Sequence, residues 1–429
     1  MTATLPAPAE APPRPAHRDG NVLRWLAAYT ASMIGDSVYY IALSWAAVQA
    51  GTPSQAGLVM AVSAVPRALL MLGGGVLADR LGPRRVVVGS DAVRCAAAFA
   101  VAALLFLTGP GLWPLAVLAL VFGAVDAVFM PAVGALPARV TTRDQLTRVQ
   151  GMRGLAIRFA SVVGGPLGGL AVALGGATGA FALAGLLIAL SVPLLVSVRV
   201  RALPAADAPD AGDTSSASAS ADGVRGGTAW RDLVGGLRYI RRHRVLGPLM
   251  LAIALGDLGF VGPLNVGLTL LADERGWGAA GMGWVLAGFG VGAGAVSLLL
   301  TVRGHLPHAG RVAGCAIIAG SVAIGALAFV PAVAGAAGIA VLVGLLAGLS
   351  GAVAGALLQT QADPALLGRV TAVSGLVSLG FAPLSMPLSA AAVGVWGTGP
   401  VFVVSAAVCG LGGVIALGVR DLRRAELPR

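Results

Sequence analysis

The chain has 429 residues, of which 57% are hydrophobic and 11% charged, with a mean hydropathy of +0.88 and a formal charge of +11. A soluble protein carries about a quarter charged residues, so a water-soluble globule is excluded. Gly (63) and Pro (25) would suggest disorder in a polar chain, but here they point to closely packed or kinked membrane helices.

Residues 1–20 are rich in Pro and Ala, lack an apolar core, and read as a disordered cytoplasmic tail, not a signal peptide. Apolar stretches of about 20 residues, the length that crosses a bilayer, then recur. The first six spans are predicted at roughly 22–49, 54–78, 86–108, 111–138, 149–173 and 177–198, forming a half over 21–200. A polar run at 203–228, rich in Ala, Ser, Asp and Gly, reads as a flexible linker. Residues 229–244, with Arg231, Arg238, Arg241, Arg242 and Arg244, are expected to form an amphipathic helix on the inner leaflet, closing a linker over 201–244. Six further spans, at roughly 245–271, 279–302, 311–331, 334–360, 368–393 and 398–419, form the second half over 245–420. A short cytoplasmic tail follows at 421–429. The expected fold is all-α, with twelve transmembrane helices.

The positive charge follows topology. There is no Lys, and all Arg except Arg67, Arg94, Arg153, Arg158 and Arg275 fall at the termini and the even-numbered loops. That asymmetry predicts both termini in the cytoplasm of a cell-membrane protein. The basic balance therefore reflects the lipid bilayer and not nucleic acid. Cys95, Cys315 and Cys409 are scattered through apolar segments and give neither a metal spacing nor a disulfide framework. His17, His243, His305 and His308 lie in loops or tails, and His305 and His308, though suitably spaced, have no Cys or acid to complete a metal site. No nucleophile with a base and no phosphate-binding Gly-Lys-Ser run is visible, so an enzyme is not expected. The expected energy source is an ion gradient, with no cofactor.

The two halves repeat. Gly35-Asp36 recurs as Gly256-Asp257, Arg148-Val149 as Arg369-Val370, Gly154-Leu155 as Gly375-Leu376 and Pro166-Leu167 as Pro387-Leu388, all 221 residues apart. A shared offset for an intramembrane Asp, a loop Arg and a helix Pro supports two parallel six-helix halves related about the membrane normal.

Between spans 2 and 3 the chain reads Gly75-Val-Leu-Ala-Asp79-Arg80-Leu-Gly82-Pro-Arg84-Arg85. This closely resembles the loop of the major facilitator superfamily, Gly-x-Leu-Ala-Asp-Arg-x-Gly-Arg-Lys, with Pro83 at the first basic position and Arg84 in place of Lys. The second half has only His305, His308 and Arg311 in the corresponding loop. The resemblance implies a cytoplasmic gate. Asp79 would sit at the positive N-terminal end of helix 11, near Gly368, and pair with Arg84 or Arg139; a purely topogenic charge cluster is the alternative. Gly164-Gly165-Pro166-Leu167-Gly168-Gly169 resembles the Gly-Pro-x-x-Gly-Gly element of facilitator antiporters, one residue short, and implies a kink in helix 5 associated with export. Gly35-Asp36 with Ala42-Leu43-Ser44-Trp45, Asp91-x-x-Arg94, Pro131-Ala132 with Leu136-Pro137, and Gly368-Arg369-Val370 resemble the drug and siderophore exporter branch that includes macrolide-efflux proteins.

In that fold, spans 1, 4, 7 and 10 line the central cavity. Asp36, Asp126 and Asp257 lie midway along spans 1, 4 and 7. An ionised Asp at mid-bilayer costs at least about 2.5–3.5 kcal/mol, so each should face a cavity or a partner. Partial desolvation places proton exchange within physiological reach. Asp36 is the leading proton carrier, followed by Asp257 and Asp126. Arg67 in span 2 and Arg158 in span 5 are the expected partners of Asp36 or Asp126, in which case the acids are structural. Ser37 or Tyr40 would otherwise tie the Asp36 carboxylate. The binding surface is expected to include Tyr39, Tyr40, Trp45, Phe260 and Trp284, with Trp45 and Trp284 serving better as packing or interfacial residues. The expected activity is export of hydrophobic small molecules in exchange for protons, by a monomer. Uptake on the same fold, or a scaffold or sensor that no longer transports, are the alternatives.

Overall fold

The computed structural model describes residues 18–426 except 110, 142–144, 201–234, 304–307 and 364–365. Every regular element among them is helical. In chain order they are α1 (Gly20–Ala50), α2 (Pro53–Leu81), α3 (Pro83–Thr108) and α4 (Leu112–Ala135), then a bent run, Leu146–Ser197. Within that run only Gly176, at φ 63°, leaves helical geometry, a conformation that costs Gly little. It divides the run into α5 (146–175) and α6 (177–197). Next come α7 (Leu246–Glu274), α8 (Gly278–Arg303), α9 (Ala309–Ala326), α10 (Val333–Gln361), α11 (Leu367–Trp396) and α12 (Thr398–Gly418). Eight helical runs among the described residues are long and apolar enough to cross a membrane. Of the predicted linker over 201–244, residues 201–234 lie outside the described residues, and of its expected amphipathic helix at 229–244 residues 235–242 are helical.

Local chemistry fixes the ends. Asp19 caps α1 by accepting the Asn21 N–H at 2.8 Å. Asn21 also donates to the Arg199 carbonyl and accepts the Arg199 N–H, both at 2.7 Å, so α1 begins where α6 ends. Arg84, opening α3, donates to the carbonyls of Leu195 and Val196 at the C-terminus of α6, where a cation complements the helix dipole. Gly310 donates to Ala425 at 3.1 Å, placing the C-terminus at the same end. This end is the terminal end; the opposite one is the far end.

Buried residues divide unevenly between the two ends. At the far end one apolar cluster takes side chains from both halves, including Tyr39, Phe122 and Phe181 with Leu271, Val285 and Phe402. Toward the terminal end each half has its own cluster, one around Trp25, Phe129 and Leu195, the other around Leu246, Leu357 and Val370. The halves are thus fused at the far end and separately packed at the terminal end.

The predicted kink element supplies much of that fusion, and Pro166 lies inside the continuous helical run. Gly165 and Gly169 face α8 of the other half. A Cβ on Gly165 would lie 2.7 Å from the Gly283 carbonyl oxygen, and one on Gly169 would lie 2.4 Å from that of Ala279. Gly164 and Gly168 face α1, meeting Ser37 and Val38. The run is a two-sided seam of small residues that lets α5 touch α1 and α8 at backbone distance. α2 packs along α11 in the same way, with Gly57 against Met386 and Ala390.

Candidate functional site

Two features meet near the middle of the N-terminal helices: a charge cluster and a cavity between the halves. Arg94 of α3 is fully enclosed and stands at the centre of the cluster. Its Nη1 donates to both oxygens of Asp36 (α1) at 2.8 Å and to Asp126 (α4) at 3.3 Å. Its Nη2 donates to Asp91, one turn earlier on α3, and to Ser32 Oγ at 3.1 Å. The guanidinium also lies over the Phe129 ring, 4.0 Å from its centroid. Asp91 further accepts from Ser32 at 3.1 Å and from Ser191 of α6. On the other side Arg67 of α2 donates to Asp126 and to the Tyr40 hydroxyl.

Three carboxylates therefore share two guanidiniums, and all four ion pairs recorded among the described residues belong to this cluster. In a low-dielectric interior such an arrangement is neutral only with one proton bound. Side-chain exposure ranks the carboxylates: Asp36 is 17% exposed, Asp126 8% and Asp91 0%, so Asp36 is the least enclosed of the three.

The cavity, about 250 Å³, lies between α1, α2 and α5 of one half and α7 and α8 of the other. Ser37, Tyr40, Ser44, Ser161, Asn265 and Thr269 give it polar points; Met60, Leu264, Met282, Leu286 and Phe289 make the rest apolar. Tyr40 belongs to both features, lining the cavity while its hydroxyl accepts from Arg67.

Hydrogen bonds across the halves close the cavity at the far end. The Ser44 and Thr269 hydroxyls are 2.5 Å apart, and Ser44 also donates to the Asn265 carbonyl at 3.3 Å. That carbonyl lies in a π-helical turn, Pro263–Gly267, where proline interrupts the regular ladder of α7. Gln49 donates to Asp273 at 2.7 Å. Arg275 donates to the carbonyls of Ala328 and Val330 at 2.5 and 2.7 Å, tying the far-end loops of the C-terminal half together.

Several sequence expectations change. Arg67 pairs with Asp126, one of its two expected partners, whereas Asp36 pairs with Arg94. Arg158 partners neither acid; it lies exposed on α5. Tyr39 is no cavity residue, for its ring stacks on Phe122 at 3.7 Å within the far-end core. Trp284 is 60% exposed on the outer face, and Trp45 packs against the far-end core, as expected of packing residues. Phe260 and Asp257 line a separate cavity inside the C-terminal half. Of the gate motif, Gly82 starts α3 at φ 85°, Arg84 holds the end of α6, and Arg139 is half-buried beyond α4. Gly75, Asp79 and Arg80 lie on the last turns of α2, but the side chains of Asp79 and Arg80 are outside the described residues, as is that of Arg369. The sequence marked Asp91 and Arg94 only as a branch motif, Asp91-x-x-Arg94, and not as the residues that hold Asp36 and Asp126. The signal for that role was an acid and a base one turn apart inside an apolar span.

A family described as Major Facilitator Superfamily matches residues 25–378. The chain is 26% identical over 426 residues, 95% of its length and 98% of the relative's, to the multidrug efflux pump Tap of Mycolicibacterium fortuitum. Among solved structures, an auto-inhibited POT family peptide transporter superposes with a TM-score of 0.68 at 15% identity, covering 95% of this chain and 98% of that one. The nucleoside transporter NupG superposes with a TM-score of 0.65 at 13% identity, covering 95% and 100%. At such identities these two likenesses speak for the fold alone.

Proposed function

The chain belongs to the Major Facilitator Superfamily, and from that membership we propose that it exports hydrophobic small molecules from the cell in exchange for protons, by alternating access. The observation that carries the reading is Tyr40, which touches the cavity between the halves and the charge cluster at once. A substrate in that cavity competes for the Tyr40 hydroxyl, loosens Arg67 from Asp126, and changes the share of Arg94 that Asp36 receives. Binding and protonation thereby act on one set of side chains, which is what exchange requires. The full-length similarity to a pump named for multidrug efflux supports the direction and the substrate class.

In this reading the terminal end, with both termini, faces the cytoplasm of a cell-membrane protein. The arrangement fused at the far end is then the one that loads substrate from inside. Return of a proton from outside reaches Asp36, the least enclosed carboxylate of the cluster. Rocking of the halves opens the seam of Gly165 and Gly169 on α8 and closes the terminal end. Asp79, with Arg80, Arg84, Arg85 and Arg139, latches that end while the far end is open, with Gly75 and Gly82 allowing the close approach. No cofactor enters the cycle, and a monomer is sufficient for it.

The test is uptake of lipophilic dyes and antibiotics into inverted membrane vesicles under an imposed pH gradient. Gradient-dependent accumulation, lost in Asp36→Asn at unchanged protein level, is the expected result. Accumulation in right-side-out vesicles instead would make the chain an importer, and none in either orientation would refute transport of this substrate class.

A further inference from the structure

The internal repeat places Asp257 where Asp36 stands, yet the surroundings differ. In the N-terminal half the space beside the acid is full. Arg94 and Phe129 occupy it, Asp126 borders it, and Ile188 presses on Gly35, where a Cβ would lie 2.7 Å from its side chain. The same four helices of the C-terminal half, α7, α9, α10 and α12, enclose a cavity of about 200 Å³. It is lined by Asp257, Phe260, Ala316, Ala347, Ser350 and Cys409. Taken 221 or 222 residues on, Arg94 becomes Ala316, Asp126 becomes Ala347, Phe129 becomes Ser350 and Ile188 becomes Cys409. Gly256, the counterpart of Gly35, has nothing within 4 Å of a Cβ. Asp91 likewise becomes Ala313, so the cavity is the Arg94 site with its arginine, its aromatic platform and two of its three acids removed and the acid of α1 kept.

That acid is incompletely satisfied. Ser378 hydrogen-bonds the Asp257 carboxylate, but Oδ2 is buried and, among the described residues, has neither a hydrogen-bond partner nor an ion pair. A buried carboxylate oxygen calls for a donor, and the donor that fits the space in the other half is a guanidinium. We propose that this cavity is a subsite for the cationic head of the substrate, an amine, amidine or guanidine on an aromatic or aliphatic body, which takes beside Asp257 the place that Arg94 holds beside Asp36.

The lipophilic body would lie against a pair of aromatic rings. Phe260 lines this cavity and Phe289 lines the one between the halves, and the two rings are 5.8 Å apart. A molecule with its head at Asp257 lays its body over this pair toward Tyr40. The subsite rests on the reading of the chain as a small-molecule transporter and narrows its substrates to lipophilic cations.

The experiment measures binding of naphthylmethylguanidine and of its neutral isostere naphthylmethylurea to the purified full chain in nanodiscs, without any gradient. The wild type is expected to bind the guanidine more tightly than the urea. Asp257→Asn is expected to weaken the guanidine by about tenfold or more, as when a buried charge pair loses one partner, and to leave the urea unchanged. Ala316→Arg, which restores the arginine of the other half, is expected to exclude the guanidine through a built-in competitor. Equal affinity for both compounds in the wild type, no binding of either, or guanidine affinity unaltered in Asp257→Asn overturns the subsite. Gradient-driven transport is measured separately on the same variants. Asp257-dependent binding without transport sinks the exporter reading and keeps the subsite, whereas transport indifferent to Asp257 and to substrate charge does the reverse.

Discussion

Replacing Arg94 with Leu separates what the charge cluster does for the fold from what it does for transport. The guanidinium holds Asp36, Asp91 and Asp126 together and is fully enclosed. Without it, Asp91 keeps only the hydroxyls of Ser32 and Ser191, and the excess of carboxylates over guanidiniums rises from one to two. Removing one partner of a buried pair typically costs about 3–5 kcal/mol, because the charge left behind has no water. Asp36→Asn acts in the opposite sense: it removes the excess carboxylate, leaves both guanidiniums paired, and forfeits about 0.5–1.5 kcal/mol for weakened hydrogen bonds. At an unfolding entropy of about 2.1 cal/mol/K per residue, a chain of this length loses about 1 °C per kcal/mol. The melting midpoint in detergent should therefore fall by about 3–6 °C for Arg94→Leu and by about 1 °C for Asp36→Asn. Both variants lose gradient-driven transport. If Asp36→Asn melts as low as Arg94→Leu, Asp36 is a structural partner and not a proton carrier. If Arg94→Leu melts like the wild type, the cluster does not hold the half together.

Further outcomes follow from the far-end closure and the gate. Cysteines at positions 49 and 273, in a chain cleared of Cys95, Cys315 and Cys409, should be bridged by a short bifunctional thiol reagent and stop transport, since Gln49 Nε2 and Asp273 Oδ1 are 2.7 Å apart across the halves; failure to bridge them would contradict the fused far end. Gly283→Leu places its Cβ 2.4 Å from the Gly165 carbonyl oxygen, and overpacking of this kind costs about 1–3 kcal/mol. It should hold the far end apart, raising the labelling of a cysteine at position 49 by an impermeant reagent from outside, whereas unchanged labelling would dismiss the seam. Asp79→Asn should abolish transport in vesicles while leaving ligand binding in nanodiscs intact; normal transport would reduce the motif to a topology signal.

The sequence made the membrane class, the helix order and the repeat legible because hydropathy and turn chemistry act locally. Asp36, Asp126, Arg67 and Tyr40 were visible for a related reason, since charges and hydroxyls inside apolar spans need an explanation. Their pairing was not. Whether Asp36 meets Arg67, Arg94 or Arg158 depends on how α1, α2, α3 and α5 rotate against each other, and the close-packed glycines of α5 set that rotation across space. The contacts of the Gly-Pro element, on α1 to one side and α8 to the other, likewise appear only in three dimensions. The cavity at Asp257 left the weakest trace, because a missing arginine has no signature until the repeat is laid over the structure.

The most direct test of the central claim is proton release on substrate addition to the purified protein in weakly buffered detergent, followed with a pH indicator. If one cluster couples substrate to proton, the wild type releases protons on binding, and Asp36→Asn binds the same substrate without releasing any. Equal release from both proteins would place the exchangeable proton elsewhere, and no release from the wild type despite binding would contradict exchange.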